Sequence, residues 1–209
     1  MVSVKHSKPL SLQRLNPFSF LKNPIIEWSL WLGIPLVLYL TGLHTEVLGS
    51  MQRVILATGL VQADTQAEQE VDASYNIQLR SLDGQLTSLG ELKGKVIFLN
   101  IWATWCPPCV AEMPGIQKLY DQVKSEDIAF VMISVDDNLA KVQKFIQRKE
   151  YTFPVYQLAD GSIPSVYASP SIPTTFVISP DGKVVMRHEG MADYNSEKFR
   201  TYLQSLVKK

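Results

Sequence analysis

Residues 73–209 predict an α/β domain, because strand-like and helix-like periods alternate along them. KVIFLNI at 95–101 and IAFVMISV at 128–135 are nearly unbroken apolar runs, as suits strands covered on both faces of a sheet. Residues 138–149 instead bring Val142, Phe145 and Ile146 to one side of a helix. Two turn signals, Asp83-Gly84 and Pro180-Asp181-Gly182, each sit between short β-prone runs and predict hairpins.

Charge organises what comes before that domain. Lys plus Arg and Asp plus Glu balance at 20 each over 209 residues, so no global basic surface argues for nucleic acid as a partner. Residues 1–26 nonetheless carry Lys5, Lys8, Arg14 and Lys22 with no acid. Residues 28–45, WSLWLGIPLVLYLTGLHT, then contain no Asp, Glu, Lys or Arg. As a helix they would span about 27 Å, close to a hydrocarbon core, with Trp28, Trp31 and Tyr39 toward the ends where rings favour the headgroup layer. They are expected to anchor the chain in a lipid bilayer. Positive flanks stay inside, so residues 1–27 are expected in the cytoplasm and the domain on the far side, periplasmic in a Gram-negative cell. A cleaved signal peptide would want small residues beyond the apolar core, and His44-Thr45-Glu46-Val47-Leu48 offers a poor site.

Residues 46–72 form the expected connection. Val47, Leu48, Met51, Val54 and Ile55 recur at helical spacing, which fits an interfacial helix or stalk and equally a helix packed on the domain. Residues 62–72, QADTQAEQEVD, are polar and acidic without apolar period and read as a flexible linker. In the domain itself, Tyr75–Leu79 and Leu86–Leu89 form the N-terminal hairpin, and a helix from Pro107 to Lys124 separates the two long strands. Thr174–Ile178 and Lys183–His188 form the second hairpin. Ser196–Val207 closes the chain as a helix with Phe199, Leu203 and Leu206 inward. No internal repeat is evident.

The chain holds two cysteines, both in WATWCPPC at 102–109. Cys106 falls just after a strand and Cys109 in the first turn of a helix. Free N–H groups and the helix dipole stabilise a thiolate there, so Cys106 is the expected nucleophile and Cys109 the resolving thiol. Pro107 and Pro108 suit first helical positions, where a missing N–H costs nothing. A structural staple is the weaker reading, since so short a loop removes little denatured-state entropy. Zinc would want further ligands, and His188 is the one histidine after residue 73. The reading therefore requires no metal and no cofactor.

LDG at 82–84, LKGKVIFLNIWATWCPPC at 92–109, EMP at 112–114 and SIPTTFVISPDGK at 171–183 together resemble the thioredoxin superfamily. More narrowly, they resemble its membrane-anchored TlpA/ResA-like thiol-disulfide oxidoreductases. The likeness covers about residues 73–207. It implies a thioredoxin-like three-layer fold, a central mixed sheet flanked by helices, with the N-terminal hairpin as an extension. Pro173 matches the family's cis-proline, with Ile172 presenting its backbone to a bound peptide. Glu112 matches an acidic residue beside the dithiol, implying proton transfer for Cys109 from a partly buried carboxylate. Asn100 stands where thioredoxins proper keep a buried Asp, which leaves that proton work to Glu112. Trp105 is expected to shield the sulfurs and meet substrate, whereas Trp102 reads equally as core. Residues 152–172 either shape substrate choice or cover the edge of the core.

The implied activity is protein-disulfide reduction outside the cytoplasm, with disulfide-bearing proteins as substrates and a membrane electron donor for recycling. Cytochrome c maturation is one such task. A disulfide oxidase or isomerase would use the same residues; a thiol peroxidase or a metal or thiol chaperone fits WCxxC less well.

Overall fold

The computed structural model describes residues 24–41, 43–58, 61–63 and 70–207. Residues 1–23 of the expected cytoplasmic segment, and 64–69 of the expected linker, lie outside them. The chain divides into two compact units, one ending at Thr41 and one beginning at Gly42.

The first unit contains helix α1, Pro24–Thr41. Most of its described large apolar side chains are exposed, among them Trp31 at 72% and Leu40 at 73%. The bilayer-spanning helix expected at 28–45 is not seen as one continuous element. α1 stops at Thr41 and helix α2, His44–Ala57, starts after it. No single described helix is long and apolar enough to cross a membrane.

The second unit is built on one mixed sheet. Its strands are β1 (Val71–Asp72), β2 (Gln78–Ser81), β3 (Leu86–Ser88), β4 (Val96–Trp102), β5 (Ile128–Ser134), β6 (Val155–Leu158), β7 (Thr174–Ile178) and β8 (Lys183–Glu189). They lie in the order β1-β8-β7-β4-β5-β6-β2-β3. β4 pairs parallel with β5 and antiparallel with β7, and all seven of its residues are buried. That central place is why its sequence is apolar without alternation. The β7–β8 hairpin turns through Gly182 at φ 83, a left-handed backbone that an L side chain rarely adopts.

Alternate residues of β4 enter two cores. Val96, Phe98 and Trp102 join Met113, Ile116 and Leu119 of helix α3 (Pro107–Val123), Phe145 of helix α4 (Leu139–Lys149) and Phe199 of helix α5 (Glu197–Val207). Ile97, Leu99 and Ile101 face a second core with Ile77, Leu89 and Tyr167. There the covering layer is extended chain and two 3-10 turns, Leu89–Leu92 and Ser165–Tyr167. Tyr167 is fully buried and its hydroxyl donates to the Ser74 carbonyl at 3.0 Å.

Two strands were not legible as such. Val155–Leu158 lies inside residues 152–172, where the sequence predicts no element, yet it pairs with β5 and joins the β2–β3 hairpin to the sheet. Val71–Asp72, at the end of the expected linker, pairs with β8, and Lys183 Nζ reaches Asp72 at 2.6 Å. Both are too short for a period to show. Packing also begins upstream of Ala73. Ala63 is buried in the first core, Gln62 bridges to Asp193, and α2 packs on α3.

Candidate active site

Cys106 leaves β4's exit loop in an extended conformation and caps α3, its Sγ accepting the Cys109 N–H at 3.3 Å. Pro107 and Pro108 fill the first two helical positions, where the backbone has no intrahelical use for an N–H. Cys106 and Cys109 are joined in a disulfide, their Cα atoms 5.3 Å apart. Cys106 keeps 4% of its surface and Cys109 none, so an external thiolate reaches Cys106.

The Ile172–Pro173 bond is cis, and the Ile172 carbonyl oxygen lies 3.7 Å from Cys106 Sγ. The segment is anchored from behind, Gly190 N donating to the Pro173 carbonyl at 2.8 Å. Trp105, the residue before Cys106, is 58% exposed. Trp102 is fully buried against Phe145, ring centroids 5.7 Å apart, and belongs to the core.

Glu112 lies one turn after Cys109 on α3, so the two share a helix face. It is buried more deeply than the partial burial expected, at 1% exposure. One carboxyl oxygen accepts from Asn100 Nδ2 at 2.8 Å and the other from the Ala192 N–H at 3.3 Å. Burial raises its pKa from 4.5 to about 8 against those two bonds, which favour the charged form. Near neutral pH the side chain can therefore hold and release a proton. Asn100 Nδ2 also donates to Thr175 Oγ1 at 2.9 Å, and the Tyr194 hydroxyl donates to the same oxygen at 2.7 Å. Burial, with Glu112 nearby, pushes the Tyr194 phenol well up, so it stays a donor. A cavity of about 250 Å³ opens on Glu112 and is lined by Arg53 and Leu56 of α2, Lys118 and Asp193.

Asp136 was missed. Buried just past β5, it accepts the Thr104 N–H at 2.8 Å, the Thr104 hydroxyl at 2.5 Å and the Ser134 hydroxyl at 2.9 Å. It thereby holds the loop leading to Cys106. A signal did exist, since sites in α/β sheets gather at the carboxyl ends of strands. Thr175 and Tyr194 gave no such signal, because only the fold brings them to Asn100.

Residues 65–204 match the Redoxin family. Thiol-disulfide oxidoreductase ResA of Bacillus cereus is 33% identical over 145 residues, 69% of this chain and 83% of that protein. ResA of Bacillus subtilis is 37% identical over 110 residues, 53% of this chain and 62% of its own length. Among solved structures, StoA from Bacillus subtilis superposes with TM-score 0.53 at 26% identity, over 62% of this chain and 96% of StoA. A thioredoxin family thiol:disulfide interchange protein from Chlorobium tepidum gives 0.53 at 27%, over 68% and 97%. With a cysteine pair at the head of α3 and a thioredoxin-like sheet behind it, the chain belongs to the Redoxin family, alongside thiol-disulfide oxidoreductases of the ResA type.

Proposed function

We propose that the chain is a membrane-anchored, extracytoplasmic thiol-disulfide oxidoreductase that reduces disulfides in other proteins through Cys106 and Cys109. The observation that carries this is the Cys106–Cys109 disulfide at the N-terminus of α3, beside the Ile172 carbonyl. In the reduced form, the Cys106 thiolate attacks a substrate disulfide, forming a mixed disulfide and releasing one substrate thiolate. The Cys109 thiolate then attacks Cys106 Sγ, closing the internal disulfide and releasing the second. Two electrons pass to the substrate, and a membrane electron donor restores the dithiol.

Glu112 is assigned the proton of Cys109. It takes that proton as the thiol becomes nucleophilic, and the cavity lined by Lys118 and Asp193 is its route to solvent. The neighbouring carbonyl of Ile172 is assigned to pairing with substrate backbone, with Pro173 holding that edge and Trp105 offering an exposed apolar contact. The part of the expected anchor that lies in α1, residues 28–41, acts as the bilayer anchor, and the basic residues before it keep residues 1–27 in the cytoplasm. Relatives named as thiol-disulfide oxidoreductases support the reaction class. Cytochrome c maturation is the physiological task favoured here.

The deciding experiment replaces Cys109 with Ser in the full chain. Mixed disulfides on Cys106, released by dithiothreitol, are expected, and a thiol or metal chaperone would form none. A measured potential well below about -200 mV supports the reductive direction, while one near about -120 mV reverses it.

A further inference from the structure

We propose that α2 is a membrane-interface helix whose outward apolar stripe lies on a lipid bilayer, holding the Cys106–Cys109 pair within reach of disulfides at that surface. The proposal deepens the anchored reading above and rests on it.

α2 packs in the opposite sense to an ordinary amphipathic helix. Leu56 apart, its domain side is small or polar: Thr45 and Gly49 are buried, and Glu46 pairs with Arg148 and with Lys149 Nζ at 2.8 Å. A Cβ on Gly49 would lie 3.1 Å from the Pro107 carbonyl oxygen, so α2 sits directly against the first turn of α3, next to the cysteine pair. The outer side carries Val47, Leu48, Met51, Val54 and Ile55, all between 46% and 68% exposed. It has no Asp, Glu, Lys or Arg; both charged residues of α2, Glu46 and Arg53, face the domain. An exposed stripe of this kind on a folded domain marks an interaction surface.

A bilayer is the occupant that fits. The stripe offers nothing for a charged or hydrogen-bonding partner to pair with. α1, which precedes it, exposes large apolar side chains between Trp28 and Leu40, as a lipid-bound helix does. Residues 42 and 43 connect the two helices, so roughly 10 Å of chain separates the last residue of α1 from the first of α2. A membrane that receives α1 thus has the start of α2 at its surface, and one partner covers both. An interfacial helix buries its apolar face about 5–10 Å into the headgroup boundary, and packed helix axes lie about 8–10 Å apart. The dithiol consequently works within one or two helix diameters of the lipid. The favoured substrates are disulfides in proteins tethered to, or emerging at, the same bilayer.

The test uses the full chain in vesicles of phosphatidylcholine and phosphatidylglycerol. The active-site pair is kept oxidised, so that an environment-sensitive dye labels only an introduced cysteine: Met51→Cys on the stripe, Trp31→Cys on α1, or Gln85→Cys on the β2–β3 turn. Nitroxide lipid should quench the dye at Met51 and at Trp31 several-fold more than aqueous iodide does, with the reverse at Gln85. Iodide quenching at Met51 with lipid quenching at Trp31 overturns the proposal and leaves the anchor standing. Iodide quenching at Trp31 overturns both. Protection of Met51 from both quenchers means that protein covers the stripe, and also overturns it. As a functional readout, the double variant Met51→Glu, Val54→Glu should reduce soluble insulin at the parent rate and a vesicle-tethered disulfide peptide several-fold more slowly. Equal rates on the tethered peptide would remove the claim on substrate reach.

Discussion

Glu112 makes the fold's stability depend on pH in a direction that can be stated. Its pKa is about 8 in the folded state against an ordinary 4.5, so between those values the folded protein binds a proton that the unfolded chain has lost. The stabilisation is full below about pH 4.5 and is lost as pH rises through about 8, a span on the order of 5 kcal/mol. Glu112→Gln should flatten that slope in urea titrations from pH 5 to 9, and should slow Cys109-dependent resolution of mixed disulfides most strongly near pH 8. Asp136 poses a different residue-scale question, because its two oxygens receive three donors. Asp136→Ala should cost about 1–3 kcal/mol by denaturant unfolding, the penalty of stranding buried donors, and should lower the turnover of disulfide substrates by loosening the loop before Cys106. The cysteine pair and the cis bond at Pro173 were legible because both lie in contiguous motifs. Asp136 and Tyr194 were not, since each acquires its partners from segments remote in the chain.

At the scale of elements, α2 has a specific lock. Glycine inside a helix costs roughly 1 kcal/mol relative to alanine, and Gly49 has its reason in the close approach to Pro107 and Val110. Gly49→Leu should drive α2 off α3 while the sheet survives. Hydrogen exchange should then quicken along residues 44–57 and at the Ala111 and Glu112 amides, with strands β4, β5 and β7 unchanged. The long strands and three domain helices could be read from the sequence because burial on one or two faces imprints a period over many residues. Helix α4, Leu139–Lys149, shows this well: its start is marked by the N-cap Asn138, whose side chain accepts the Ala140 and Lys141 N–H groups. β6 and β1 carry only four and two residues, so their identity comes from the neighbours they join rather than from any pattern of their own. For α2 the amphipathic spacing was visible, but which face meets the domain depends on Gly49 and Glu46, not on hydrophobicity.

For the whole molecule, the proposed topology predicts a protection pattern. Protease added to sealed inside-out vesicles should remove residues 1–27 and spare the domain, and detergent should then expose its loops. Digestion of the domain without detergent would invert the orientation. The α/β class was readable at this scale from the alternation of periods, and the thioredoxin-like architecture from the family resemblance that the motifs carry; the eight-strand order was not, because β6 brings the hairpin to the sheet through non-local pairing. The ends of that sheet carry a consequence of their own. Its outermost strands, β1 and β3, have two and three residues, so each rim presents very few open N–H and C=O groups. Long bare rims template edge-to-edge polymerisation, and truncated ones do not. At high local concentration, copies of this protein would collide constantly without adding strand to strand.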